Sequence, residues 1–287
     1  MRAVVTGATG GIGEAIARRL AAAGHSVVLI GRSSERTDAA RRRIAAAVPG
    51  ADLHGETADL SLMADVRDLA TRLDPLPDVA ISNAAVVAPL DRVTAEGLPL
   101  TLATNHLAPY LLLRTLAERI GAGPARFVIV GAAPRALARV PVDLDDLRMR
   151  NERTLGPLPS FRPFAAYGRT KNMNAMFGYA LARRLAGTRI TVNGGHPGIV
   201  RQTGLGRHAS GGLKVFTSLL NPFVPGVDYG ADNPAWLATA PEVAGVTGGY
   251  FVRRKEVPTA PHTTDVTRCD RLWDESARLV GLPAALR

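Results

Sequence analysis

The opening stretch "AVVTGATGGIGEAIARRLAAAG", residues 3–24, constrains the fold more than any other part of this chain. A short apolar run leads into Gly7, Gly11 and Gly13, and a helical pattern starts at once. Glycines permit the tight turn and let the backbone come close to a pyrophosphate. The helix start adds free N–H groups and the positive end of its dipole. A strand, a glycine loop and a helix in this order form the first half of a β-α-β unit. The candidate cradle is Gly7, Thr9, Gly10, Gly11, Ile12 and Gly13.

The rhythm continues along the chain. Apolar runs "SVVLI" (26–30), "DVAIS" (78–82), "RFVIV" (126–130), "RITVN" (189–193) and "GGYFV" (248–252) alternate with helix-period segments. This predicts an α/β fold, a Rossmann-type doubly wound parallel sheet with helices on both faces. With 287 residues, 46% of them apolar, a single domain is expected. Residues 1–125 form its mainly cofactor-binding half and residues 126–287 its catalytic half. Two stretches break the rhythm: the proline-rich 134–164, and 199–228 around the apolar "LKVFTSLLNPFV". Insertions near strand ends often cover a pocket. A substrate-covering lid and a plain surface helix are both open readings of the second.

At the end of the second strand a NAD site expects an acid for the ribose hydroxyls. The chain has Arg32 and Ser33 there, with Arg36 close behind. A guanidinium suits a dianionic 2′-phosphate, so NADP(H) is the expected cofactor. The net charge of +10 agrees with an anionic partner. The run Arg41-Arg42-Arg43 reads as a solvated helix face. Aromatics are only 5% and are not interleaved with basic residues, which argues against nucleic acid. The one cysteine, Cys269, allows no intrachain disulfide, and the six histidines lack metal-ligand spacing, so no metal is expected. The first strand begins at residue 2 and no apolar run reaches about 20 residues. A cytoplasmic protein without a membrane anchor is the expectation.

Tyr167 and Lys171, in "YGRTK", are four residues apart and share a helix face. An ammonium beside a phenol is expected to lower its pKa, making a proton donor and acceptor near neutral pH. With the glycine loop upstream, the chain resembles the short-chain dehydrogenase/reductase family along nearly its whole length. "TGATGGIG" resembles its cofactor loop, "ADLS" (58–61) its adenine-contacting Asp59-Leu60, and "SNAA" (82–85) its Asn-Ala-Ala-Gly segment, here Asn83, Ala84 and Ala85. "TNHLAPYLL" carries Asn105, and "HPGIVRQT" (196–203) resembles the turn over the nicotinamide. The tail is similar to the retinol-dehydrogenase-like branch. The resemblance implies that Tyr167 is the general acid in carbonyl reduction. It implies that Lys171 holds the nicotinamide ribose and tunes Tyr167, and that Asn105 holds a water in a proton relay. Pro197, Gly198 and Val200 would seat the nicotinamide; Thr203 falls one residue late. His106 and His196 read as packing residues. The resemblance also implies a homo-oligomer through the tyrosine helix, where Met173, Met176, Phe177 and Tyr179 are equally readable as core.

One departure stands out in "FVIVGAAP", 127–134. The tip of this strand is where the family places its catalytic serine, and the register puts Gly131 and Ala132 against the usual serine pair. No side chain there donates a hydrogen bond; Ser160 is an alternative hydroxyl. Three readings follow. The first is an NADP(H)-dependent oxidoreductase acting on a carbonyl or alcohol of a mainly hydrophobic small molecule. The second is a non-redox cyclase, dehydratase or isomerase that keeps NADP bound and uses Tyr167 and Lys171 as acid and base. The third is a cofactor-binding regulatory protein.

Overall fold

The chain lays down strands β1 (Arg2–Thr6), β2 (Ser26–Gly31), β3 (Leu53–Thr57), β4 (Val79–Ser82), β5 (Ala125–Val130), β6 (Ile190–His196), β7 (Tyr250–Val252) and β8 (Lys255–Glu256). The computed structural model describes residues 1–198 and 226–286. The strands form one sheet in the order β3-β2-β1-β4-β5-β6-β7-β8, parallel except for the β7–β8 pair. The main helices are α1 (Gly11–Ala22), α2 (Ser34–Ala47), α3 (Met63–Arg72), α4 (Ala108–Ile120), α5 (Arg162–Arg184), α6 (Val227–Thr239) and α7 (Val266–Leu279).

The two-residue period of the strands sorts their side chains between two cores. Val4, Val28, Ala80, Phe127 and Ile129 face one side, with residues of α3, α4, α5 and α7. Val5, Leu29, Ile81, Val128 and Val130 face the other, with α1, α2 and α6. Strands buried on both faces read as continuous apolar runs, which is why these were visible in sequence. β3 was not among the predicted strands. Only Leu53 of its five residues is buried, because β3 is the sheet edge.

The strand order reverses beside β1, whose neighbours are β2 and β4. A crevice opens at the carboxyl ends of such strands. Helix α5 is fixed beside it by the core: Met173, Met176 and Phe177 are buried, and Phe177 stacks on Trp273 of α7 at 6.1 Å. Those three residues are therefore spent inside the protomer. The segment 199–225, most of the predicted lid, lies outside the described residues.

Candidate functional site

A cleft of about 410 Å³ lies at the crevice, lined by the glycine loop, the end of β2, the turns after β3 and β4, and α5. The two ends of its loop have different reasons to be glycine. Gly7 and Gly11 have φ of +67° and +59°, the left-handed region that favours glycine. A Cβ on Gly13 would collide with the Gly7 carbonyl and lie 2.5 Å from Asn83 Nδ2, so α1 packs directly on the turn. A Cβ on Gly10 would meet nothing within 4 Å. Gly10 is also the N-cap of α1 and provides no side-chain cap, which leaves first-turn N–H groups of the helix without one. An uncapped helix start facing open space beside glycines fits a pyrophosphate.

Thr9, Ile12, Arg32, Ser33 and Arg36 also line the cleft. Arg32 and Arg36 are exposed. Ser33 caps α2, its hydroxyl accepting from the Arg36 N–H. Asp59 and Leu60 line the cleft too. The Asp59 carboxylate accepts from the Ser61 N–H at 2.9 Å and hydroxyl at 2.7 Å, which shapes the turn after β3. Asn83 ties β4 to β1: its Nδ2 donates to the Thr6 carbonyl at 3.0 Å, and its N–H and that of Ala84 donate to Thr6 Oγ1. This holds Asn83, Ala84 and Ala85 as one wall of the cleft. In the run Arg41–Arg43, Arg42 and Arg43 are exposed, with Arg43 bonded to Glu14, whereas Arg41 is half-buried and bonds both Asp38 and the Leu53 carbonyl.

Tyr167 and Lys171 both reach the cleft from α5. Lys171 Nζ donates to the Val130 carbonyl at 2.7 Å and lies 5.7 Å from the centre of the Tyr167 ring. Burial pushes Tyr167 up to about 12 and Lys171 down to about 8. The expected lowering of the Tyr167 pKa is therefore corrected. The spacing brings the two side chains to one face, but the ammonium is engaged by Val130 and exclusion of water dominates the phenol.

Asn105 is fully buried in a π-helical turn, Ala103–Leu107, that precedes α4. Its side chain brackets Val86, accepting from its N–H at 2.7 Å and donating to its carbonyl at 2.9 Å, and also donates to Thr170 Oγ1. The Asn105 carbonyl accepts from Asn174 Nδ2 at 2.8 Å. Asn174 also meets His106, whose other nitrogen faces Ser276, so His106 is a buried packing residue as expected. The asparagine thus shapes the cleft wall at Val86 from behind.

Pro197 lines the cleft. Gly198 has φ +88° and lies against the Tyr229 ring; Val200 and Thr203 lie outside the described residues. Ser160 is exposed on a short 3-10 turn and is not part of the cleft lining. At the β5 tip, Gly131 lines the cleft, whereas Ala132 is half-buried and packs with Leu137, Ala175 and Tyr250. Sequence reasoning missed Thr104 and Leu100, which add to the cleft wall, and Tyr250, whose hydroxyl donates to the Ala132 carbonyl.

A family model described as short chain dehydrogenase matches residues 1–133. Human (Homo sapiens) retinol dehydrogenase 13 is 32% identical over 290 residues, covering 98% of this chain and 85% of that protein. A candidate daunorubicin C-13 ketoreductase, DnrU, from Streptomyces sp. (strain C5) is 36% identical over 282 residues, covering 97% of this chain and 92% of its own. Among solved structures, a short-chain dehydrogenase from Sphingobium yanoikuyae in complex with NADPH superposes with a TM-score of 0.61 at 25% identity, over 80% of this chain and 81% of that one. The glycine cradle, the tyrosine–lysine pair on one cleft and full-length similarity to these proteins agree: the chain belongs to the short-chain dehydrogenase/reductase family of oxidoreductases, and is retinol-dehydrogenase-like within it.

Proposed function

We propose that this oxidoreductase uses NADP(H) to interconvert a carbonyl and an alcohol on a mainly hydrophobic small molecule. The observation that carries the reading is the meeting of three things on one cleft: an uncapped glycine cradle, Tyr167 with its proton, and Lys171. The residues present fit the cofactor. Gly10 leaves room where a side chain would intrude. Arg32 and Arg36 offer guanidinium groups at the end of β2, and the one carboxylate among the described lining residues, Asp59, is bonded to Ser61. A bound nicotinamide supplies or accepts the hydride. Tyr167 Oη gives its proton to the substrate oxygen in the reductive direction. Lys171, charged below about 8, would hold the nicotinamide ribose and return a proton to Tyr167. Val86, Val87, Ala88 and Leu100 give the cleft an apolar wall, which favours an apolar substrate.

The test is NADPH consumption with a panel of ketones and aldehydes. Tyr167→Phe removes the proton and keeps the ring, so turnover should fall by about 10² or more while the fold persists. Wild-type turnover in the Phe variant would refute the role.

The tip at Gly131 and Ala132, where no side chain donates a hydrogen bond, favours a second reading, a non-redox conversion by Tyr167 and Lys171 with NADP kept bound. Conversion of substrate without net NADPH consumption marks it. Single-domain organisation, a homo-oligomer and a cytoplasmic location belong to the same proposal; among the described residues no helix is long and apolar enough to cross a membrane. Light scattering checks the oligomer.

A further inference from the structure

The tip of β5 is held at three consecutive residues by three different elements. Lys171 of α5 donates to the Val130 carbonyl at 2.7 Å. The Gly131 N–H donates to the Gly195 carbonyl of β6 at 2.8 Å. The Tyr250 hydroxyl of β7 donates to the Ala132 carbonyl.

Tyr250 is only 2% exposed, and its seat depends on two missing side chains. A Cβ on Gly131 would overlap its hydroxyl and lie 3.0 Å from its Cζ. A Cβ on Gly194 would lie 2.6 Å from its Cδ2. The ring therefore lies across β5 and β6, and its hydroxyl fills the place a side chain at position 131 would take. Burial pushes this phenol far above the usual range, so it stays a donor. A buried carbonyl that loses its donor is costly, and the segment carrying it shifts to find another.

We propose that Tyr250 is a positioning residue of the catalytic centre: its hydroxyl, seated over Gly131, fixes the β5 tip and through it the carbonyl that Lys171 grips. The proposal rests on the reading that Tyr167 and Lys171 act on the substrate. Tyr250 opens a three-residue strand far from the glycine cradle in sequence, yet it reaches the chemistry through the backbone of β5.

The test uses Tyr250→Phe in the full chain. The ring remains, so NADPH affinity, read by fluorescence, should stay within about twofold, while kcat falls about tenfold at little-changed KM. A second readout needs no turnover. Tyrosine ¹³Cζ resonances report the titration of Tyr167, assigned with Tyr167→Phe. When the tip loosens, Lys171 loses its carbonyl and its ammonium moves toward the phenol, so the Tyr167 pKa falls by about half a unit or more. The seat itself is tested by Gly131→Ala. It should lower the Tm by several degrees in the wild-type background and by clearly less when combined with Tyr250→Phe, where the overlapping atom is gone. A purely structural Tyr250 would lower the Tm but leave kcat and the Tyr167 titration unmoved, and that result overturns the proposal. Equal losses from Gly131→Ala in both backgrounds overturn the seat. If the wild type converts no carbonyl, the reductase reading falls by itself and the titration still decides Tyr250.

Discussion

Two glycines three residues apart, at the start of α1, should respond differently to a single added methyl. At Gly13 the methyl would collide with the Gly7 backbone carbonyl and crowd Asn83 Nδ2, itself bonded to the Thr6 carbonyl. Neither neighbour is a free side-chain end, so the cost lies near the top of the usual range for overpacking, about 3 kcal/mol. Alanine in a helix recovers about 1 kcal/mol over glycine. The net loss of about 2 kcal/mol lowers the Tm by roughly 3 °C in a chain of 287 residues. At Gly10 the backbone is extended, with φ 169°, and a methyl meets nothing within 4 Å. Gly10→Ala should leave the Tm nearly unchanged, because alanine restricts the unfolded chain by about 0.4–1 kcal/mol but is a poorer N-cap than glycine.

Ligand binding then separates the two positions. The open space at Gly10 is where a pyrophosphate would meet the uncapped start of α1. Gly10→Ala should weaken NADPH at least tenfold, about 1.4 kcal/mol, in an apoprotein as stable as wild type. The measurements are differential scanning calorimetry without ligand and fluorescence titration with NADPH. A Gly10→Ala protein that binds NADPH as tightly as wild type would remove the pyrophosphate from this loop. A Gly13→Ala protein of unchanged Tm would show that α1 can move off the turn, and the packing argument would fail.

Arg32→Asp should weaken NADPH at least tenfold, since a hydrogen bond to a charged group is worth about 1.5–3 kcal/mol, and a wild type that prefers NADH sinks the assignment. Ala132→Ser adds a hydroxyl beside the cleft, against the Leu137, Ala175 and Tyr250 cluster, for a packing cost near 1 kcal/mol; if it turns into the cleft of an enzyme that reduces carbonyls, NADPH-dependent turnover should rise about tenfold, and slower turnover favours the non-redox reading. Lys171 has its pKa lowered from 10.5 to about 8, so between those values the unfolded chain binds the extra proton and stability rises with pH. Lys171→Met should remove that rise in urea melts between about pH 8 and 10, and a persisting rise of the same size would assign it to another group. Buried His106 is lowered to about 4, so stability should fall as pH drops from 6.5 toward 4.

The sheet was legible where strands are buried on both faces, because an unbroken apolar run leaves little choice of environment. β3 and the two-residue β8 lie at the sheet edges, and their polar residues carry no such signal. The cleft residues were legible where backbone geometry demands a residue type, as at Gly7 and Gly11, or where a side chain departs from a motif, as at Arg32. Tyr250 was hidden because its partner is a main-chain carbonyl 118 positions earlier. The trace it leaves is indirect, a glycine just past β5 and another in β6 where its ring lies. The Tyr167 pKa was misread for a related reason. A four-residue spacing reports a shared helix face, but not what else Lys171 bonds or how much water reaches the phenol.

The corrected pKa order changes what the site is built to do. At neutral pH Tyr167 keeps its proton and Lys171 is mostly charged, since they titrate at about 12 and about 8. Removing the phenol proton at neutral pH is uphill, because burial disfavours the phenolate. Giving it to a developing alkoxide costs nothing comparable. A protonated Tyr167 is what the proposed reduction of a carbonyl would need. Oxidation would need the phenolate, and the Lys171 ammonium, which keeps two N–H groups beyond the one bonded to Val130, is the nearby charge that favours it. The tip at Gly131 and Ala132, where no side chain donates a hydrogen bond, bears on the rate instead. If the family's serine position falls there, as the resemblance implies, one donor to the substrate oxygen would be missing, worth about 10²–10³ in rate. From an overall acceleration of at least about 10⁶, that leaves about 10³ or more, enough for a slow reductase. Tyr167 is then the donor on which polarisation of the carbonyl and delivery of the proton both depend. A reductase built this way should lose nearly all its activity in Tyr167→Phe. A homologue with a serine at the tip would keep part of its polarising contact after the same change. Comparing the two Phe variants on one ketone separates a single-donor site from a two-donor site, and equal residual rates would refute the single-donor account.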